Sequence, residues 1–371
     1  MKASKTKLIF VNVILVLVFA ALIEGGVSLF LFTWDAFTNR GMAERLHTQY
    51  DPELGWVNLP NVHISDMYGA GRQLTTNSRG FRGRSDVADE VQTGKRRVVC
   101  VGDSFTLGYG VDDLDTWCHL LGTLDPELET VNMGQGGYGA DQAYLWYKRD
   151  TKDVDHHLTV LAFITEGFRR MQEKSIAGYG KPILKLENDK LEVDNVPVPE
   201  SAFFAPWLTQ NIDVIRSLRS VEFLNRIRNR LGSTDSQELQ MDRDSETRAI
   251  LRELLVDLEK TSTERGSELI LVYLPTPRDY EPNKWRAWAD SIEEVASELD
   301  IPFINLIEPI RGLDREEMTS LFIQDGVIDF PGAHGHLNEK GNRYAAETIA
   351  GVIANRTGPP RKNSAPRETN P

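Results

Sequence analysis

Cysteine is almost missing from this chain: Cys100 and Cys118 are the two in 371 residues. That excludes a disulfide framework, and their spacing matches no metal-ligand pattern. Both read as small buried thiols, Cys100 on a strand and Cys118 on the following helix, with a single bridge in an oxidising compartment as the other reading. Positive charge is also in deficit. Lys and Arg number 42 against 55 Asp and Glu, a formal net charge of −13, which argues against a protein that grips a phosphate backbone and so against nucleic acid as a partner. The glycine-bearing phrases GYGVDD and GQGGYG lack the Lys-Ser/Thr phosphate signature and any dinucleotide fingerprint. His156 and His157 are neighbours that read as surface residues, and His119 stands alone. No metal or cofactor is expected, and no internal repeat is found.

What is present begins at the amino terminus. Lys2, Lys5 and Lys7 precede an apolar run from Leu8 to Trp34, long enough at about 1.5 Å per residue to cross a bilayer. The positive-inside rule keeps the lysines in the cytoplasm and exports the rest, giving a single-pass protein of the inner membrane with its main domain periplasmic or extracellular. Glu24 is expected near the far interface, within reach of water or headgroups. A signal peptide cut after Ala20 competes with this reading. The apolar residues continuing from Leu29 to Phe32 favour the uncleaved anchor.

Beyond the stub and anchor (1–34), the hydrophobic content of 40% supports one large core rather than two. A lead-in (35–95) shows little regular periodicity but holds YDPELGW (50–56) and TTNSRGFRG (75–83). The second phrase is turn chemistry, after which Phe81 can anchor on a core and Arg82 can pair with an acid. The main domain (96–354) alternates strands and helices, which implies a parallel sheet covered on both faces. The strands drawn are 97–101, 129–132, 159–164, 268–274 and 302–305; the helices are 141–149, 245–264 and 283–298. An insertion (171–244) breaks the pattern. Its residues 183–198 alternate like a hairpin around Asn188 and Asp189, and it has two readings, a cap over a substrate cleft or a surface elaboration. Residues 233–246 are polar enough for a mobile linker, and 355–371 form a disordered tail.

The chemistry concentrates in three phrases. In VVCVGDSFTLGYGV (98–111) a serine follows a strand directly, so Ser104 stands at the carboxyl edge of the sheet, where open α/β folds bind ligands. The competing account is a plain helix cap. VNMGQGGYGADQ (131–142) ends a strand in glycines that allow a backbone to approach a substrate oxygen. GHLNEKGNRYAAE (335–347) offers His336, an imidazole suited to general-base work near neutral pH. His334 is its neighbour and competitor, without the Leu-Asn continuation.

Together these phrases resemble the SGNH/GDSL hydrolase superfamily, and the resemblance runs from about Tyr50 to Ala350. It implies a flavodoxin-like three-layer α/β/α fold with a parallel sheet, the SGNH hydrolase fold, here with one transmembrane helix. It also implies Ser104 as nucleophile, with Asp103 supporting the turn, His336 as base, and the N–H groups of Ser104 and Gly137 (Gly136 as alternative) holding the oxyanion. Leu337 and Asn338 would fix the turn, and Gly341 would let the final helix pack closely. Two positions depart from the family. Glu166 stands where an Asn donor is usual, and an ionised Glu cannot donate. Ala333 and His334 occupy the usual place of the triad acid, leaving Asp329, with Asp325 as alternative, as the nearest carboxylates. The implied activity is that of a serine esterase or O-acyltransferase acting on O-acyl groups of cell-surface or exopolysaccharide. Its partners would be an acyl-ester or glycan substrate, the membrane, and polysaccharide-modification proteins. The alternatives are a lipid ester or thioester hydrolase, and a non-catalytic SGNH-like binding or assembly subunit.

Overall fold

The structure, a computed structural model, describes residues 5–37, 44–176, 179–188, 190–200, 220, 223, 224, 227, 236–280, 285–328, 330 and 332–355. Helix α1 (Lys5–Phe37) contains one stretch, Ile9–Leu31, long and apolar enough to span a membrane. Signal sequences meet the same test. Glu24, expected within reach of water or headgroups, is covered by protein instead. It is buried and accepts a hydrogen bond from the Ser220 N–H at 3.1 Å, because a residue of the insertion packs beside the helix.

Five strands form the central sheet: β1 (Arg96–Gly102), β2 (Leu128–Gly134), β3 (Leu158–Phe163), β4 (Glu268–Tyr273) and β5 (Phe303–Asn305). All pairings are parallel, and the spatial order is β2-β1-β3-β4-β5, the flavodoxin-like order. The chain steps from β1 to β2 on one side and returns to β3 on the other, so the switch point lies between β1 and β3. The β-branched and apolar run Val98 to Val101 is buried on both faces, as a central parallel strand should be. Successive side chains alternate between two cores. Val99 and Val101 pack with helices α4 (Ala140–Asp150), α6 (Ser236–Glu264) and α7 (Arg286–Glu298). Val98 and Cys100 face α3 (Trp117–Leu124) and α8 (Glu339–Asn355). This is a three-layer α/β/α architecture. Each strand begins or ends within two residues of its sequence reading, and Cys100 and Cys118 are free buried thiols.

The lead-in is not irregular: Thr48–Asp51 pairs with Gly55–Asn58, His63–Ile64 pairs with Leu74–Thr75, and Leu54, Trp56 and Val57 join the α4-side core. Its strands are too short to show a period. The polar stretch taken for a linker is helical from Ser236 onward; propagation from the apolar stripe Leu251, Leu254, Leu255 and Leu258 costs little once a nucleus exists. His156 is not on the surface but buried, bonded to Tyr147 Oη at 2.9 Å and to the Val154 carbonyl, while His157 is half-buried.

Phe81 is fully buried and Arg82 pairs with Asp113, as the turn chemistry anticipated. In the insertion the hairpin Ile183–Glu187 with Lys190–Asp194 turns at Asn188. Asp189 and residues 201–219 of the insertion lie outside the described residues, as does the tail from 356. The insertion is pinned to the domain by a buried ion pair between Lys181 and Asp141 of α4.

Candidate active site

Strand β1 delivers Ser104 to the switch point. Asp103 caps the one-turn helix α2 (Ser104–Leu107), accepting from the Phe105 N–H at 2.9 Å, and Gly108 closes it in the left-handed region. Nothing larger than glycine fits beside this turn at Gly134, where a Cβ would lie 1.9 Å from the Leu107 nitrogen. Burial pushes the Asp103 carboxyl up, and the Arg170 guanidinium at 3.2 Å opposes that shift.

His336 stands on the loop before α8. Its carbonyl accepts from the Ile323 N–H at 2.8 Å, and Asn338 caps α8 through the Gly341 N–H at 3.0 Å while donating to the Ser320 carbonyl. Asn342 ties this helix to α3 by accepting from the Trp117 N–H. The result places Ser104 Oγ 2.7 Å from His336 Nε2. Nδ1 faces a main-chain oxygen, donating to the Ala333 carbonyl at 3.2 Å. With Nδ1 as donor, Nε2 carries the lone pair toward the hydroxyl. The imidazole packs against Phe105 (ring centroids 4.4 Å apart) and Tyr109 (5.2 Å).

Burial lowers the His336 pKa from 6.5 to about 4; the Ala333 carbonyl opposes that shift and the Arg170 charge adds to it. A base is useful only when unprotonated, so Ser104 reactivity toward a fluorophosphonate should hold from neutral pH downward and fall with a midpoint near pH 4. A midpoint at the ordinary value of 6.5 would show a solvated ring. The sign for stability is the same. The unfolded chain binds the proton first, so stability drains as pH falls from 6.5 toward about 4.

Ser104 N–H and Gly137 N–H have no hydrogen-bond acceptor among the described residues. Gly137 has φ of +77°, a conformation glycine adopts freely. The preceding carbonyl, of Gly136, accepts from Trp56 Nε1 at 2.9 Å. In a trans peptide the N–H points opposite the C=O, so Trp56 turns the Gly137 N–H to the other side of the loop; the N–H of Gly136, the alternative donor, belongs to the preceding peptide and likewise has no acceptor among the described residues. Tyr138 Oη bonds back to the Trp56 carbonyl. Arg170, from α5 (Thr165–Met171), joins the loop to the serine turn by donating to the Tyr138 carbonyl at 3.0 Å and to Asp103.

The remaining anticipated residues stand apart. Glu166 is in the first turn of α5, where a carboxylate complements the helix dipole, and pairs with Arg169; its charge is engaged along its own helix. Asp325 is exposed and makes no hydrogen bond to His336, because its loop turns outward at Gly326. Asp329 lies outside the described residues. His334 is exposed. Sequence reasoning missed Trp56, Arg170, Phe105, Tyr109 and the Ala333 carbonyl. Only the two aromatic residues had a signal, their spacing of four beside the serine.

No protein-family model and no curated protein matches the chain. Solved structures similar to it include a member of the lipolytic G-D-S-L family from Veillonella parvula, at 12% identity over 70% of this chain and 98% of that one, with a TM-score of 0.39. A lipase/acylhydrolase from Enterococcus faecalis is 16% identical over 70% of this chain and 96% of its own, with a TM-score of 0.39. An acetyl xylan esterase is 14% identical over 69% and 99%, with a TM-score of 0.37. At such values the likeness does not bear on chemistry, which rests on the geometry above.

Proposed function

We propose that the chain is a serine ester hydrolase or acyltransferase, with Ser104 as nucleophile and His336 as general base. The observation that carries this reading is the 2.7 Å contact between Ser104 Oγ and a neutral His336 Nε2 at the switch point of the sheet. Ser104 Oγ attacks an ester carbonyl as its proton moves to Nε2. The Ser104 and Gly137 N–H groups receive the oxyanion, and the imidazolium returns the proton to the departing alcohol. Water, or a sugar hydroxyl, then takes the acyl group from the serine.

Acyl esters of cell-surface or exopolysaccharide are the proposed substrates, on the strength of the SGNH/GDSL resemblance. An inner-membrane anchor with the catalytic domain on the periplasmic side is proposed from the apolar helix and the lysines before it.

The test is covalent labelling of the full chain by a fluorophosphonate. Wild type is expected to label and Ser104→Ala not to label; equal labelling of the two removes Ser104 as the activated group. One observation favours a second reading, a binding or assembly subunit without turnover: no carboxylate bonds to His336 Nδ1 among the described residues. Failure of the wild type to label supports that alternative.

A further inference from the structure

We infer that Phe105 and Tyr109 are positioning residues for His336, holding its ring and stabilising its protonated form, the task a carboxylate performs in a Ser-His-Asp triad. The inference rests on the proposed base role of His336 and concerns how that base works.

In a triad the acid does two things: it fixes the tautomer and orientation of the imidazole, and it stabilises the imidazolium that forms in the transition state. At His336 the first task falls partly to the Ala333 carbonyl, 3.2 Å from Nδ1. A carbonyl is neutral, and it leaves the ring free to swing about that bond. Two aromatic rings restrict the swing. Phe105 lies 4.4 Å away with an interplanar angle of 30°, and Tyr109 lies 5.2 Å away at 35°, both tilted and nearer parallel than edge-on. Both are 5% exposed, so neither ring can drift into solvent.

The Tyr109 ring is itself held edge-on by Phe330 at 5.3 Å and packed by Tyr68 at 6.0 Å. Its hydroxyl is buried with no partner among the described residues. The ring, and not the oxygen, is therefore the part in use. Aromatic faces carry negative charge density and attract a cation placed over them. A ring beside a neutral imidazole contributes packing; beside an imidazolium it adds an electrostatic attraction that grows as the proton arrives.

The placement follows from the serine turn. Phe105 and Tyr109 are four residues apart, and Gly108 closes the single helical turn between them. One short segment thus supplies the nucleophile and the two rings that hold its base.

The experiment measures fluorophosphonate labelling of the full chain in detergent, in which Ser104 Oγ forms a bond to phosphorus, fluoride leaves and His336 takes the serine proton. The maximal rate and the half-saturating probe concentration are separated. Phe105→Leu and Tyr109→Leu are each expected to lower the maximal rate about tenfold, with half-saturation unchanged. Tyr109→Phe should match wild type, and Asp329→Asn should stay within about threefold. Leucine variants labelling at the wild-type maximal rate would overturn the inference. So would a Tyr109→Phe loss as deep as that of Tyr109→Leu, or a large loss in Asp329→Asn, which would return the task to a carboxylate. Thermal melting establishes that each variant is folded, and the Tyr109 pair decides the matter where Phe105→Leu does not fold. A wild type that never labels tells against the hydrolase reading instead.

Discussion

Replacing His336 with alanine or glutamine is expected to lower the proposed ester turnover and the fluorophosphonate labelling by about 10⁴-fold or more, with the protein still folded. The magnitude follows from the proton. A serine hydroxyl is a poor nucleophile until a base removes its proton as the new bond forms, and removal of a triad member leaves only the catalysis supplied by oxyanion donors and binding. Here Nε2, at 2.7 Å, is the proposed acceptor, and the exposed His334 cannot substitute for it. Folding should tolerate the change, because the loop is held by its main chain and by Asn338: Ile323 N–H to the His336 carbonyl, and Gly335 N–H to the Ile323 carbonyl. Glutamine, closer in volume, guards against collapse of the Phe105 and Tyr109 rings into the gap. The check is the rate against a simple aryl ester with circular dichroism alongside. A His336→Gln protein keeping a tenth of wild-type turnover would mean the base is elsewhere.

Arg82→Met destabilises the folded domain by about 3–5 kcal/mol, in the range for breaking a buried ion pair from one side. Arg82 and Asp113 are nearly sealed from solvent, with side-chain exposures of 1% and 3%. The guanidinium also donates to the carbonyls of Leu107, Gly108, Val111 and Gln73. Two of those oxygens end the turn that begins with Ser104. Methionine would remove four donors to main-chain oxygens and leave a buried carboxylate held by the Thr75 N–H at 3.1 Å, with the half-exposed Arg84 3.9 Å away. Lysine would not rescue the site, since one ammonium cannot reach all the acceptors that the planar guanidinium fork serves. Urea unfolding of the variants measures the effect. A second change, Asp113→Leu, should recover part of the loss by removing the stranded charge; a first loss under about 1 kcal/mol would show that water replaces the arginine.

Legibility varied with the range of the interaction. The strand residues Val98 to Val101 were readable because burial on both faces demands an unbroken apolar run, a local property. The bend at Asn77 to Gly80, with Phe81 turning in and Arg82 meeting an acid, was readable for the same reason. The long helix α6 was read short at its start because Ser236 to Glu246 is polar, and its helicity depends on the stripe farther along. Trp56 had no signal: its bond to the Gly136 carbonyl spans 80 positions and depends on where the lead-in hairpin lands. Arg170 reaches Asp103 across 67 positions and is one of two adjacent arginines, of which the other pairs with Glu166. No pattern of residues tells the two apart.

The amino-acid order alone determined the alternation of strand and helix, the serine at a strand end and the histidine before the last helix, because each is set by neighbours within a few positions. Tertiary structure decided that the two side chains meet, that a carbonyl rather than an acid faces Nδ1 among the described residues, and that Glu166 turns to Arg169. The physical reason is that a main-chain oxygen belongs to every residue and so marks none, and that an ion pair is chosen by distance, which exists only once the chain has packed.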